Sequence, residues 1–165
     1  MVIVFAAEGF WAGKFPMAPG TVGTIAGFAW IYLLLVPENI WFYLGGIFAG
    51  FFAAVWLGSR AEQILQLKDP GSIVIDEITA LPLAFLSPVL FHAHGSSTPS
   101  FPHYLHGKEL VLVFLTFALF RLFDITKPWF IHRAQNIPGG WGLVIDDFLA
   151  ATFVLPFAWI FLIIF

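Results

Sequence analysis

Cysteine is absent from the 165-residue chain, which excludes a disulfide framework, a thiolate nucleophile and any Cys-ligated zinc or iron–sulfur centre. Charge is scarce as well. Asp, Glu, Lys and Arg make up 10% of the residues, against about a quarter in soluble domains, so the chain cannot assemble an ordinary hydrated surface. Nor is there a basic excess: seven Lys+Arg against ten Asp+Glu leave a formal charge of −3, which removes the electrostatic footprint of a nucleic-acid binder. The opening MVIVFAAEGFWAGK has no basic leader and carries Glu8, unlike a cleavable secretory signal, so it is expected to stay uncleaved. What the chain does have is 60% hydrophobic residues, 21 Phe and 7 Trp, with a mean hydropathy of +0.92. That composition suits lipid. At about 20 apolar residues per bilayer crossing, it predicts an all-α integral membrane bundle of about five transmembrane helices, a single domain over 1–165.

Apolar runs and turn residues place the spans. A loop rich in Pro and Gly, Phe15 to Gly23, leads into a first span from Thr24 to Val36. Pro37-Glu38-Asn39 separates it from a second, Trp41 to Leu57. A polar stretch from Ser59 to Gly71 precedes a third, Ile73 to Phe91, in which Pro82 can introduce a kink. The fourth runs from Leu110 to Phe123, and the fifth follows the Pro138-Gly139-Gly140 turn, staying uncharged from Phe148 to Phe165. With the N-terminus inside, alternation puts Lys14, Arg60, Lys68, Arg121, Lys127 and Arg133 on the cytoplasmic side and only Lys108 outside, the bias expected of an inserted protein.

The same threading brings Asp76 and Glu77, Asp124, and Asp146 and Asp147 to three helix ends at one membrane level. Ionisable residues are costly there and mark functional sites that face the bundle interior. Gathered carboxylates repel unless a cation joins them, and hard oxygen donors without Cys suit Mg²⁺ or Mn²⁺. Within each adjacent pair, neighbours point about 100° apart on a helix, so both serve one site only if one acts as direct ligand and the other sits at its side or behind it, and which does which is left open by the sequence. Mg²⁺ characteristically shares its shell with phosphate oxygens, and Lys127 and Arg133 can balance the remaining phosphate charge. The loop before span one adds backbone N–H groups, Gly23 and the hydroxyls of Thr21 and Thr24 to an anion site. Arg121 lies three residues before Asp124, where it either pairs with that acid or touches substrate. A site at headgroup depth selects a lipid whose phosphate reaches it while its tails stay in the bilayer.

Four segments carry a resemblance. Lys14-Phe15-Pro16-Met17-Ala18-Pro19-Gly20-Thr21-Val22-Gly23-Thr24, Ile75-Asp76-Glu77, Phe120-Arg121-Leu122-Phe123-Asp124-Ile125-Thr126-Lys127-Pro128-Trp129 and Gly139-Gly140-Trp141-Gly142-Leu143-Val144-Ile145-Asp146-Asp147 resemble, in order, the motifs of phosphatidylglycerophosphatase A. The resemblance implies a bacterial inner-membrane, Mg²⁺-dependent phosphatase with its site on the cytoplasmic side. It would convert phosphatidylglycerophosphate to phosphatidylglycerol and phosphate, in phosphatidylglycerol and cardiolipin biosynthesis. Asp76, Glu77, Asp124, Asp146 and Asp147 are then ligand, base or nucleophile candidates, with either water or a carboxylate attacking phosphorus. Lys127, Arg121 and Arg133 are phosphate contacts, and membrane lipids are the expected partners, with no obligate protein partner evident. The chain departs from the pattern at Ile78-Thr79-Ala80 and at Ala151, both compatible with close helix packing.

Two other classes use intramembrane acids: an acid-coupled small transporter, which binds nearer the midplane, and a phospholipid headgroup phosphotransferase. His92, His94, His103 and His106 sit in a Gly, Ser and Pro-rich connection on the far side from the acids and read as a solvated loop rather than a metal loop. Gly45, Gly46, Gly50 and Gly58 are expected at close helix contacts.

Overall fold

The computed structural model describes residues 1–128, 130–134 and 137–165 and is helical throughout, with isolated bridges in place of strands among those residues. Eight helices follow one another: α1 (Val2–Ala7), α2 (Pro19–Leu35), α3 (Ile40–Leu65), α4 (Ile75–Ala84), α5 (Leu86–His92), α6 (Gly107–Thr126), α7 (Phe130–Ala134) and α8 (Gly140–Ile164). Short 3-10 turns lie at Ala12–Lys14 and Phe101–Leu105. Helix α4 is the hub, packed against α2, α3, α6 and α8. It can be surrounded because its buried residues Thr79, Ala80 and Ala84 are small. Opposite it, Gly27 of α2 presents a bare face to Leu81, where a Cβ would come within 3.0 Å.

The distribution of apolar bulk is inverted relative to a water-soluble bundle. Along α3 the inward positions Tyr43, Ile47, Gly50, Ala54, Gly58 and Ala61 follow helical spacing, while Trp41, Phe42, Phe48, Phe52 and Trp56 point outward and exposed. Aromatics on the outside and small residues within suit a lipid solvent. Three helical stretches are long and apolar enough to cross a membrane: α3, the α4–α5 stretch Ile75–His92, and α8. Helix α2 is apolar but has 17 residues, and α6 carries Lys108, Glu109, Arg121 and Asp124 along its 20, so among the described residues three of the five expected crossings meet both criteria.

Several boundaries differ from the sequence expectation. Helix α2 begins at Pro19, inside the expected loop, because Pro at the first position has the helical φ and lacks only an N–H that would be unpaired there anyway. Helix α3 runs on to Leu65 through half of the expected polar stretch. The third span is broken at Phe85, just after Pro82. The broken span finds outside partners: Tyr43 Oη donates to the Pro82 carbonyl at 2.9 Å and Ser87 Oγ to the Leu155 carbonyl at 2.9 Å. The connection between α5 and α6 is not simply solvated either. Tyr104 is fully buried and Thr98 nearly so, and the Thr98 N–H donates to the Glu38 carbonyl while Ile40 N–H donates to that of Ser96. Of the four glycines of α3, Gly46 and Gly58 face Leu34 and Leu143, Gly50 lies in ordinary contact with Thr79 and Trp30, and Gly45 faces open space.

Candidate active site

The start of α4, the end of α6 and the first turns of α8 meet at one end of the bundle. Asp76 and Glu77 occupy the first turn of α4, where the positive end of the helix dipole favours negative charge. Oxygens of Asp76, Glu77 and Asp147 lie within 4.8 Å of one another. Asp76, Asp124, Asp146 and Asp147 are all buried, at 2–7% exposure, which is exceptional for acids and demands compensation.

Part of it is local. In each adjacent pair the first acid accepts the backbone N–H of the second: Glu77 N to Asp76 Oδ1 and Asp147 N to Asp146 Oδ1, both 3.1 Å. More comes from two cations, which reach Asp124, Asp146 and Glu77. Arg121 Nη1 donates to Asp124 Oδ2 at 2.6 Å and to Thr24 Oγ1 at 3.3 Å, and stands 3.9 Å from Glu77 Oε1. Lys127 Nζ donates to Asp146 Oδ2 and lies 3.9 Å from Asp124 Oδ1. Burial alone would lower the Lys127 pKa, but the hydrogen bond to Asp146 and the charges of Asp146, Asp147 and Asp124 outweigh it, and the ammonium is pushed up to about 12. It therefore stays charged throughout the physiological range.

Local backbone explains how these groups converge. Lys127 caps α6 in the left-handed region, at φ 38°, immediately before Pro128, which disfavours a further helical residue. The chain turns there and the lysine points back at α8. Gly20 lies where the α2 entry meets the acids: a Cβ on it would collide with Glu77 Oε1 and press on Arg121. Thr24 Oγ1, which donates to the Gly20 carbonyl at 2.8 Å, holds Arg121 from the other side.

In the α8 pair, Asp147 faces the α4 acids and Asp146 takes Lys127. In the α4 pair both Asp76 and Glu77 reach the shared point, since glutamate's extra methylene lets it bend round the helix. Of the other expected phosphate contacts, Arg133 is exposed on α7 without an ion pair among the described residues, Thr21 makes no side-chain hydrogen bond among them, and Gly23 packs against Val74. Trp129, which closes the third motif, lies outside the described residues. Gly20 joins the site although the sequence marks it only by its place in the Pro19-Gly20-Thr21 segment.

Two kinds of atom are left over. Glu77 Oε2 and Asp147 Oδ2 are buried without a hydrogen-bond partner among the described residues, and so is Arg121 Nε. Unpartnered acceptors beside an unpartnered donor fit a ligand carrying both a cation and an anion. Beside the acids, an apolar groove of about 440 Å³ lies between α2, α3 and α4, lined among others by Ala26, Trp30, Ala53, Ile75 and Ile78.

The chain belongs to the phosphatidylglycerophosphatase A family, whose sequence model matches residues 5–162. It is 28% identical over 148 residues to phosphatidylglycerophosphatase A of Escherichia coli, covering 88% of this chain and 75% of that one. The Haemophilus influenzae phosphatidylglycerophosphatase A is 30% identical over 150 residues, 90% and 82% of the two chains. A Bacteroides thetaiotaomicron protein carrying the provisional name phosphatidylinositol-3-phosphatase is 30% identical over 154 residues, 91% and 87%. No solved structure matches the chain.

Proposed function

We propose that the protein hydrolyses the terminal phosphate monoester of phosphatidylglycerophosphate, releasing phosphatidylglycerol and inorganic phosphate, with Mg²⁺ at the carboxylate cluster. The observation that carries this reading is the leftover set: two unpartnered buried carboxylate oxygens and an unpartnered guanidinium N–H at one point, on an apolar bundle of a lipid-phosphatase family. An all-oxygen donor set from Asp76, Glu77 and Asp147 fits Mg²⁺, which takes few carboxylates and leaves room for phosphate oxygens. These three residues would hold the ion, and its positive charge would be available to the phosphoryl oxygens when it is bound.

The chain's own groups do the remainder. Lys127 and Arg121 carry fixed positive charge to the non-bridging oxygens, and Arg121 Nε has a free N–H to give. Asp124 and Asp146 orient these two cations through the contacts described above, so little reorganisation is left for the reaction itself. Gly20 keeps the approach open, and Thr24 fixes the guanidinium plane. Burial of the acids excludes bulk water, while one acyl chain can run along the apolar groove beside Ile75 and Ile78. Residues 1–165 act as one domain, α2 and α6 complete five crossings, and the site faces the cytoplasm from a bacterial inner membrane, where its phospholipid precursor is made.

Phosphate release by purified protein in mixed micelles tests the reading. Rapid Mg²⁺-dependent release from phosphatidylglycerophosphate, abolished by chelation, is expected, with phosphatidylinositol 3-phosphate measured alongside. Absence of free phosphate would leave the transporter or phosphotransferase reading in its place.

A further inference from the structure

The end of the bundle opposite the carboxylate cluster holds a second group of metal-ligating side chains. His92 closes α5, His103 lies in the 3-10 turn Phe101–Leu105, and Glu109 stands in the first turn of α6. One ligand atom from each lies within 4.8 Å of the others. Fifteen residues of helix separate Glu109 from Asp124, about 22 Å at helical rise, so the two groups cannot share an ion.

Glu109 is buried, at 6% exposure, and needs a cation. Its neighbour Lys108 does not supply one, because Lys108 Nζ donates instead to the Phe165 carbonyl at 3.1 Å. His92 Nε2 approaches Glu109 Oε2 to 3.1 Å, yet the two make no aligned hydrogen bond, and both atoms are buried with no hydrogen-bond partner among the described residues. A protonated imidazole in a simple ion pair would aim its N–H at the carboxylate. Two lone pairs converging on a third atom give the observed arrangement, since ligands at about 2.0–2.1 Å from a tetrahedral ion stand roughly 3.3 Å apart. The His92 and His103 rings are held edge to face, 4.8 Å between centroids, with Tyr104 packed on both.

We infer that His92, His103 and Glu109 form a second metal site, for Zn²⁺ or a similar late first-row divalent cation. Two imidazoles and one carboxylate match the donors of such ions, whereas Mg²⁺ prefers oxygen alone. Exposed His103 leaves the fourth position to solvent. The ion joins the end of α5, the 3-10 turn and the start of α6, and so fastens the α5–α6 connection to both helix ends. It neutralises Glu109 and takes no part in phosphate release.

Co²⁺ titration of the full-length protein, purified without a polyhistidine tag and held in excess Mg²⁺ to occupy the carboxylate cluster, tests the assignment. One equivalent of Co²⁺ should give the strong visible absorption of a four-coordinate ion, and Zn²⁺ should displace it and raise the melting temperature. His103→Ala removes an exposed side chain and leaves the fold intact. It and Glu109→Gln should abolish the band and the Zn²⁺ melting shift, while phosphatidylglycerophosphate turnover in His103→Ala stays at the wild-type rate. His94→Ala and His106→Ala should keep the band. A wild-type protein without a saturable band, a band that survives both His103→Ala and Glu109→Gln, or one lost in His94→Ala or His106→Ala overturns the inference.

Discussion

Asp146 and Asp147 are neighbours in the chain but do different work, and single substitutions separate them. Asp147 faces the α4 acids and keeps an oxygen unpartnered among the described residues; replacing it by Asn removes a repelling charge and a proposed metal ligand together. Asp147→Asn should therefore leave the metal-free melting temperature unchanged or higher, and lose the Mg²⁺-dependent rise, which for an intact site is about 2.7 kcal/mol at a hundredfold excess over the dissociation constant. Asp146→Asn takes away the acceptor of the Lys127 ammonium and should lower melting even without metal. Equal behaviour of the two variants in one thermal series would sink the division of labour. Gly20→Ala tests the approach to the site: the added methyl overlaps the Glu77 carboxylate and presses on Arg121, so kcat should fall by about tenfold or more with little change in melting. The convergence of Asp76, Glu77, Asp124, Asp146 and Asp147 was legible in the sequence, because charge is so rare here that each acid stands out against its apolar run. Which atom meets which was not, since that depends on glutamate's extra methylene and on the left-handed turn at Lys127.

Helix α4 carries two catalytic candidates at one end and a break at the other, and the break is held by hydrogen bonds from elements remote in sequence. Pro82 and the interruption at Phe85 free backbone groups in a region where water cannot satisfy them. Tyr43 Oη closes part of that deficit at the Pro82 carbonyl, and Ser87 Oγ, just past the break, ties α5 to the Leu155 carbonyl of α8. Tyr43→Phe leaves the Pro82 carbonyl unpaired in the core and should cost about 1–3 kcal/mol, read as a lower melting temperature in detergent with the Mg²⁺ response preserved. A variant as stable as wild type would mean that the carbonyl finds another donor. At this scale the sequence was informative about the existence of elements and less so about their ends. Turn residues located the apolar runs, and Pro82 announced a disturbance. The start of α2 at Pro19 and the continuation of α3 to Leu65 escaped because Pro is a loop signal everywhere except a helix's first turn, and because polar residues end a membrane crossing without ending a helix.

Across the whole molecule the acids and their two cations occupy one end and the His92, His103 and Glu109 group the other, with exposed aromatics between. A reporter active only outside the cytoplasm should be active when fused after Phe165 and silent when inserted near Lys68, given five crossings and the basic bias. The reverse pattern would put the acid end on the wrong side for a cytoplasmic lipid precursor. The count of five rests on α2, which is short, and α6, which is charged, and neither length nor hydropathy of the isolated helix describes how a neighbour shields it. The open groove beside Ile75 and Ile78 has a kinetic consequence. A lipid seated there never leaves the bilayer plane, so encounter is a search in two dimensions, governed by how densely substrate is spread over the surface. At fixed bulk phosphatidylglycerophosphate, adding inert detergent should slow turnover in proportion to the falling surface mole fraction, whereas adding more micelles of unchanged composition should leave the specific rate constant once all enzyme is micelle-bound.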